Sequence, residues 1–200
     1  GSTNAVLHLL AIAKEIGVKL ILKDFERVRK RTPHIVNMRP GGIYVMLDLD
    51  KIGGIPIILK SLLKKGLIHG ETLTVTGKNM KKNLESFTIN VSIDENILTS
   101  FDRPLHSEGT LKILKGSLAP EGAVVKIAGV NSTEFIGRAK VFESEEEAFR
   151  EISKKKIVEG DVVIIRYEGP RGGPGMREML SVTAALVGQG LGEKVAMVTD

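Results

Sequence analysis

Glu178 is the side chain in this sequence best placed to do chemistry. It follows Gly169 to Gly175, where four glycines and two prolines occupy six of seven positions, and it lies near the start of a run, "MREMLSVTAALVG", with helical character. Glycine at that density means positive φ or close approach of another group to the backbone. A carboxylate in the first turn of a helix is kept ionised by exposed amides and the positive end of the macrodipole. An ionised oxygen is what a hard cation such as Mg²⁺ requires. The same glutamate fits equally well as a plain helix-start charge. On the residues alone the two readings stand level.

Other candidates are weaker. Ser2, Thr3 and Asn4 open an apolar helical run, and hydroxyls and amides at a helix start can bind a carboxylate or phosphate of a substrate. N-capping explains the same residues. "GETLTVTGKNM" has the wrong glycine spacing for a phosphate loop, and Asn79 stands where Ser or Thr should follow the lysine. "GQGLGEK" lacks the following helix that a dinucleotide site needs. His8, His34, His69 and His106 are dispersed without ligand spacing and read as structural or surface residues.

Composition narrows the partners. The chain of 200 residues has no cysteine, which removes thiolate chemistry and cysteine-held clusters from these residues. Net charge is +5, and the densest basic cluster, Arg27 to Arg31, has no interleaved aromatics for base stacking. A solvated face is therefore expected, not a nucleic-acid surface. No apolar run approaches the roughly 20 residues needed to span a bilayer.

The elements that must position Glu178 follow from periodicity. Val6, Leu9, Leu10, Ala13 and Ile16 predict a helix that Gly17 closes. "DFERVRKR" predicts a second, halted at Thr32-Pro33 because a residue before proline avoids the α region. Ile57, Leu59, Leu62 and Leu63 predict a third, and "KNMKKNLESF" a helical turn. From Glu108 onward the period shortens: "GTLKILKGSLAPEGAVVKIAG", "FIGRAKVF" and "GDVVIIRYEG" are β-prone. One acidic helix interrupts them, with Ser144 as N-cap and lysines in its last turn.

"GSTNAVLHLLAIA", "GSLAPEGAVVKIAG", "AKVFESEEEA", "GDVVIIRYEGPRGGPGMREML" and "VAMVTD" resemble, in order, the dihydroxy-acid dehydratase and phosphogluconate dehydratase family. The first segment resembles its dihydroxy-acid branch. Such a resemblance implies a hydro-lyase that converts a small 2,3-dihydroxy acid to a 2-keto acid in branched-chain amino-acid synthesis. A sugar-acid dehydratase acting on aldonates is the rival, and a non-catalytic binding module the alternative from another class.

The resemblance also implies an iron–sulfur cluster on the leaving 3-hydroxyl, Mg²⁺ on the carboxylate and 2-hydroxyl, and a serine base at C2. Of that machinery only Glu178 has a counterpart here, as the Mg²⁺ ligand from the second domain. The cluster cysteines and other Mg²⁺ ligands are expected before Gly1 and the serine after Asp200, so these residues alone should be inactive. The implied fold is α/β. Residues 1–107 would be the mainly helical end of a cluster-binding α/β first domain, and 108–200 most of a swivelling β-barrel-like domain with flanking helices. A cytoplasmic homo-oligomer, without nucleic-acid or membrane partners, completes the expectation.

Overall fold

Helices occupy the first part of the chain, and strands with further helices the rest. The computed structural model describes residues 2–88, 90–130, 134–169, 177 and 179–200. Two compact units are formed, one of Gly1–Val6 with Ile12–Val130, the other of Leu7–Ala11 with Asn131–Asp200.

Helix α1 (Thr3–Glu15) is closed by Gly17 at φ +70°, a left-handed position that suits glycine. In α2 (Leu22–Arg31) the Asp24 carboxylate accepts from the Ile21 amide at 3.0 Å, and Arg29, Lys30 and Arg31 fill the last turn. The helix stops at Thr32, which is extended as the following proline requires. Then come α3 (Met46–Lys51), α4 (Gly54–Lys64) and α5 (Met80–Ser86), the last capped by the Asn79 side chain on the Lys82 amide. Periodicity missed α3 because its six residues make under two turns. Its readable signal is Asp48, whose carboxylate accepts from the Val45 amide at 3.0 Å.

The core of this first unit is aliphatic: Ile35, Leu49, Ile52, Ile57, Ile97 and Leu98. Strands β1 (Leu111–Leu114) and β2 (Ala123–Lys126) pair antiparallel, and β1 packs on α2. Arg29 pins that contact. Its buried guanidinium binds Glu26 at 2.7 Å and Glu108 at 2.5 Å, and Glu26 also accepts from the Ile113 amide.

The second unit alternates strand and helix: β3 (Arg138–Phe142), α6 (Glu145–Ser153), β4 (Asp161–Ile165), α7 (Leu180–Gly188) and β5 (Ala196–Thr199). The three strands are parallel in the order β3-β4-β5. Parallel neighbours need a crossover, so the acidic helix that seemed to interrupt the β run is the β3–β4 connection. Helices α6 and α7 pack together and share one core with the strands: Phe142, Ala148, Ile152, Ile157, Val163, Ile165, Met179, Val182, Leu186 and Val195. Each fully buried aliphatic side chain there contributes about 1.5–3 kcal/mol. The α/β class is therefore as expected. The barrel-like form is not seen: among the described residues the strands make two small open sheets, neither closed.

Asp161 fixes the start of the sheet. Its buried carboxylate accepts from the Val158 amide at 3.0 Å and from Arg138, its register partner on β3, at 3.3 Å. The Val158 hydrogen bond holds its pKa below the ordinary carboxylate value, with Arg138 adding to the effect. A depressed folded-state pKa gives stability present above the unfolded value near 3.9 and lost as pH falls through the folded one. In the full-length protein, D161N should lower stability at pH 7 by about 1–3 kcal/mol and flatten the acid limb of the stability profile. Thermal unfolding from neutral pH to pH 2 checks both outcomes.

Candidate functional site

Parallel register brings the three strands to a common carboxyl edge, since Phe142 pairs with Ile165 and Ile165 with Thr199. The residues just beyond are Glu143 to Glu146, Arg166 to Gly169, and Asp200. Open α/β sheets place their ligand sites at this edge. The glycine- and proline-rich segment departs from it.

Asp200 anchors the entry to that segment. Its carboxylate accepts three successive amides, from Tyr167, Glu168 and Gly169, each at 3.0 Å. Consecutive amides converging on one anion form a nest, and the anion here belongs to the chain itself. Tyr167 adopts φ +63° to make the turn, a conformation costing a non-glycine residue about 1 kcal/mol or more. Gly169 meets a steric demand. A β-carbon there would lie 2.7 Å from the Asp200 carbonyl oxygen and 3.0 Å from its carbon. At this position the glycine is explained by close approach.

Arg177 lies at the far end of the segment, inside a set of carboxylates. Its Nη2 binds Glu145 at 2.6 Å and Glu146 at 2.9 Å, and its Nη1 lies 3.3 Å from both oxygens of Glu168. Glu145 and Glu168 are buried, Glu146 is exposed. Hydrogen bonding to Glu146 raises the Arg177 pKa, and in return Arg177 lowers that of Glu146. Glu168 also accepts the Glu145 amide at 2.7 Å, so it sits on the amino end of α6, where the macrodipole favours an anion. Ser144 caps the same helix, as its sequence position predicted, accepting the Glu147 amide at 3.2 Å. Ser181, in the first turn of α7, donates to Glu145. A pocket of about 430 Å³ lined by Glu145, Glu146, Phe149, Arg150, Arg177 and Ser181 is the outer face of this clamp.

Glu178, with Pro170 to Met176, lies outside the described residues. Helix α7 begins at Leu180, two positions beyond it. Ser2 occupies the N-cap of α1 but makes no side-chain capping bond, and Thr3 and Asn4 are half-buried in the first turn. His34 and His106 stack with ring centroids 5.3 Å apart, His34 Nε2 facing the Val36 carbonyl at 2.9 Å. Burial lowers the His34 pKa. Among the described residues, no group of three His, Asp or Glu could hold a metal ion. The carboxylates of the clamp are already committed to Arg177. In the sequence, Glu145 and Glu146 are acids at a helix start, and nothing local singles out Glu168. The available signal was Arg177's position beside Glu178.

The described residues form a parallel α/β sheet whose carboxyl edge gathers Glu145, Glu146 and Glu168 around Arg177. The family model "Dihydroxy-acid/6-phosphogluconate dehydratase N-terminal" matches residues 1–83, and its C-terminal counterpart matches residues 96–200. The chain belongs to the dihydroxy-acid/6-phosphogluconate dehydratase family. Curated relatives named dihydroxy-acid dehydratase include those of Metallosphaera sedula, Sulfurisphaera tokodaii and Sulfolobus acidocaldarius, which are 61%, 59% and 58% identical to it. Each match covers 100% of this chain but 36% of the relative, so the chain spans about a third of their length.

The contact at Gly169 generates a test. G169A forces the backbone at Asp200 to move and should destabilise the full-length protein by about 1–3 kcal/mol. Gly188, at the end of α7, has open space around its α-carbon and no positive φ. G188A should be neutral or stabilising by up to about 1 kcal/mol. Thermal unfolding of the two variants beside the parent distinguishes a required glycine from a tolerated one.

Proposed function

We propose that the protein containing this chain is a hydro-lyase that converts 2,3-dihydroxy acids to 2-keto acids in branched-chain amino-acid synthesis. The observation that carries the reading is the identity of 58–61% along the whole chain to relatives named dihydroxy-acid dehydratase. In the reaction the proton on C2 and the hydroxyl on C3 leave as water, and the resulting enol tautomerises to the keto acid. A 6-phosphogluconate or aldonate substrate is the second reading, because the matching family description covers both acids.

Glu178 is proposed as one oxygen ligand of Mg²⁺, its partners being supplied outside these residues. The support is chemical: a carboxylate is the right donor for a hard cation. Bound Mg²⁺ would supply charge that steadies the enolate-like transition state. With no cysteine among 200 residues, no thiolate here can hold the iron–sulfur cluster, which is proposed to be held elsewhere in the protein. The start of α1 at Ser2, Thr3 and Asn4 is proposed as a separate contact for the acid's anionic end.

Residues 1–107 are proposed as the end of a cluster-binding first domain and 108–200 as most of a second. The change from helix to strand between Ser86 and Leu111 supports this. The compact units divide later, at Val130, because the β1–β2 hairpin packs on α2. A cytoplasmic homo-oligomer is proposed, and among the described residues no helix is long and apolar enough to cross a membrane.

Two measurements on the full-length protein test this reading. Turnover of 2,3-dihydroxyisovalerate should exceed that of gluconate and 6-phosphogluconate; the reverse order would assign the sugar-acid branch. E178Q keeps the shape and removes the charge, and should lower the rate roughly a hundredfold, or about 2.7 kcal/mol in the barrier, and weaken Mg²⁺ dependence. Its thermal stability should change by less than about 1 kcal/mol. Near-parental activity with an unchanged Mg²⁺ requirement would return Glu178 to the role of a helix-start charge.

A further inference from the structure

We propose that His34 and His106 form a proton-sensitive clasp in the first unit, closed while the buried His34 ring is neutral and loosened when that ring must take up a proton. Histidine is the side chain whose charge ordinarily changes between pH 5 and 8. The clasp uses none of the residues at the carboxyl edge of the parallel sheet.

The chain leaving α2 runs antiparallel to the chain that leads towards β1. His34 donates its amide to the His106 carbonyl at 2.9 Å, and its carbonyl accepts the Leu105 amide at 2.9 Å. Asn37 donates to the Ile97 carbonyl at 2.9 Å, and Thr99 donates to that of Ile35 at 2.8 Å. His34 and His106 are therefore directly opposed, as are Val36 and Leu98. The two imidazoles stack with centroids 5.3 Å apart and planes 15° from parallel. Ile35, Ile97 and Leu98, from the same two segments, belong to the core of this unit. Parting the segments uncovers part of that core.

One tautomer of His34 fits this setting. Nε2 lies 2.9 Å from the Val36 carbonyl, which can only accept, so Nε2 carries the proton. Nδ1 is then a bare lone pair, buried and with no hydrogen-bond partner among the described residues. A second proton would put an N–H at Nδ1 with nothing to accept it, and an imidazolium against another imidazole. Burial lowers the His34 pKa, the Val36 carbonyl opposes this, and His106 adds to the lowering, with the amino-terminal ammonium and Lys126 of β2 acting in the same sense. Of the acids on the opposing segment, Asp102 pairs with Lys65 at 3.6 Å and Glu108 with Arg29. A lowered folded-state pKa means that the opened chain binds the proton more tightly. The closed state is therefore fully favoured above the ordinary histidine value near 6.5, and loses ground as pH falls below it towards the folded value.

The test is amide hydrogen exchange, read by mass spectrometry and corrected for intrinsic rates, on the full-length parent, H34Q and H106F. Peptides covering residues 34–38 and 97–106 report the clasp, and peptides of β4 supply the reference. In the parent, the opening constant at the clasp should rise about tenfold between about pH 7.5 and 5.5, as uptake of one proton by the opened histidine requires. The β4 peptides should change by less than about twofold, because the lowered pKa of Asp161 lies below this window. H34Q keeps a neutral donor for the Val36 carbonyl and cannot titrate, so its clasp should also change by less than about twofold. H106F keeps a stacked ring without the second charge and should retain most of the parental rise, since burial is the larger cause. Equal clasp opening at both pH values in the parent, or an equal rise in β4, would overturn the proposal. So would a parental rise that persists in H34Q. If H34Q does not fold, the parent and H106F decide: a flat profile in H106F would take the titration away from His34.

Discussion

One buried carboxylate, Glu168, organises the carboxyl edge of the parallel sheet. It caps the first amide of α6, faces both oxygens toward Arg177, and shares its own amide with the Asp200 nest. It is only 4% exposed, and these partners supply the hydrogen bonds that a buried carboxylate requires. Each partner comes from a different segment, so satisfying the charge obliges β4, α6 and the start of α7 to arrive together. The positive end of α6 and the Arg177 guanidinium act on it in the same sense.

The sheet supplies the rigid part of the arrangement. Parallel strands with helical crossovers deliver three chain turns to one edge, and the aliphatic core beneath them keeps that edge level. Asp161 and Arg138 fix the opposite, amino edge by a charge-assisted hydrogen bond between register partners.

The first unit repeats the theme with different residues. Arg29, 8% exposed, binds Glu26 and Glu108 and thereby joins α2 to the chain entering β1. Both units are almost without aromatic packing, since only 4% of the residues are aromatic. Isoleucine, leucine and valine fill the cores, and buried arginine–carboxylate sets supply the directional contacts that stacked rings often provide.

The sequence by itself determined the α/β class, the helices α1, α2, α4 and α6 with the Ser144 cap, the β-prone runs, and the family. These depend on local spacing, on caps within four residues, and on a glycine-proline block whose order is distinctive. It also placed Glu178 after that block, on the basis of chemistry between near neighbours. Tertiary structure alone decided that β3, β4 and β5 run parallel and stay open, because pairing and direction are set by contacts 20 to 35 residues apart. It alone decided that Gly169 is required by the Asp200 backbone. It also made Glu145, Glu146 and Glu168 the setting of Arg177. No local pattern reports a charge pair that forms only when three strand ends meet at one edge.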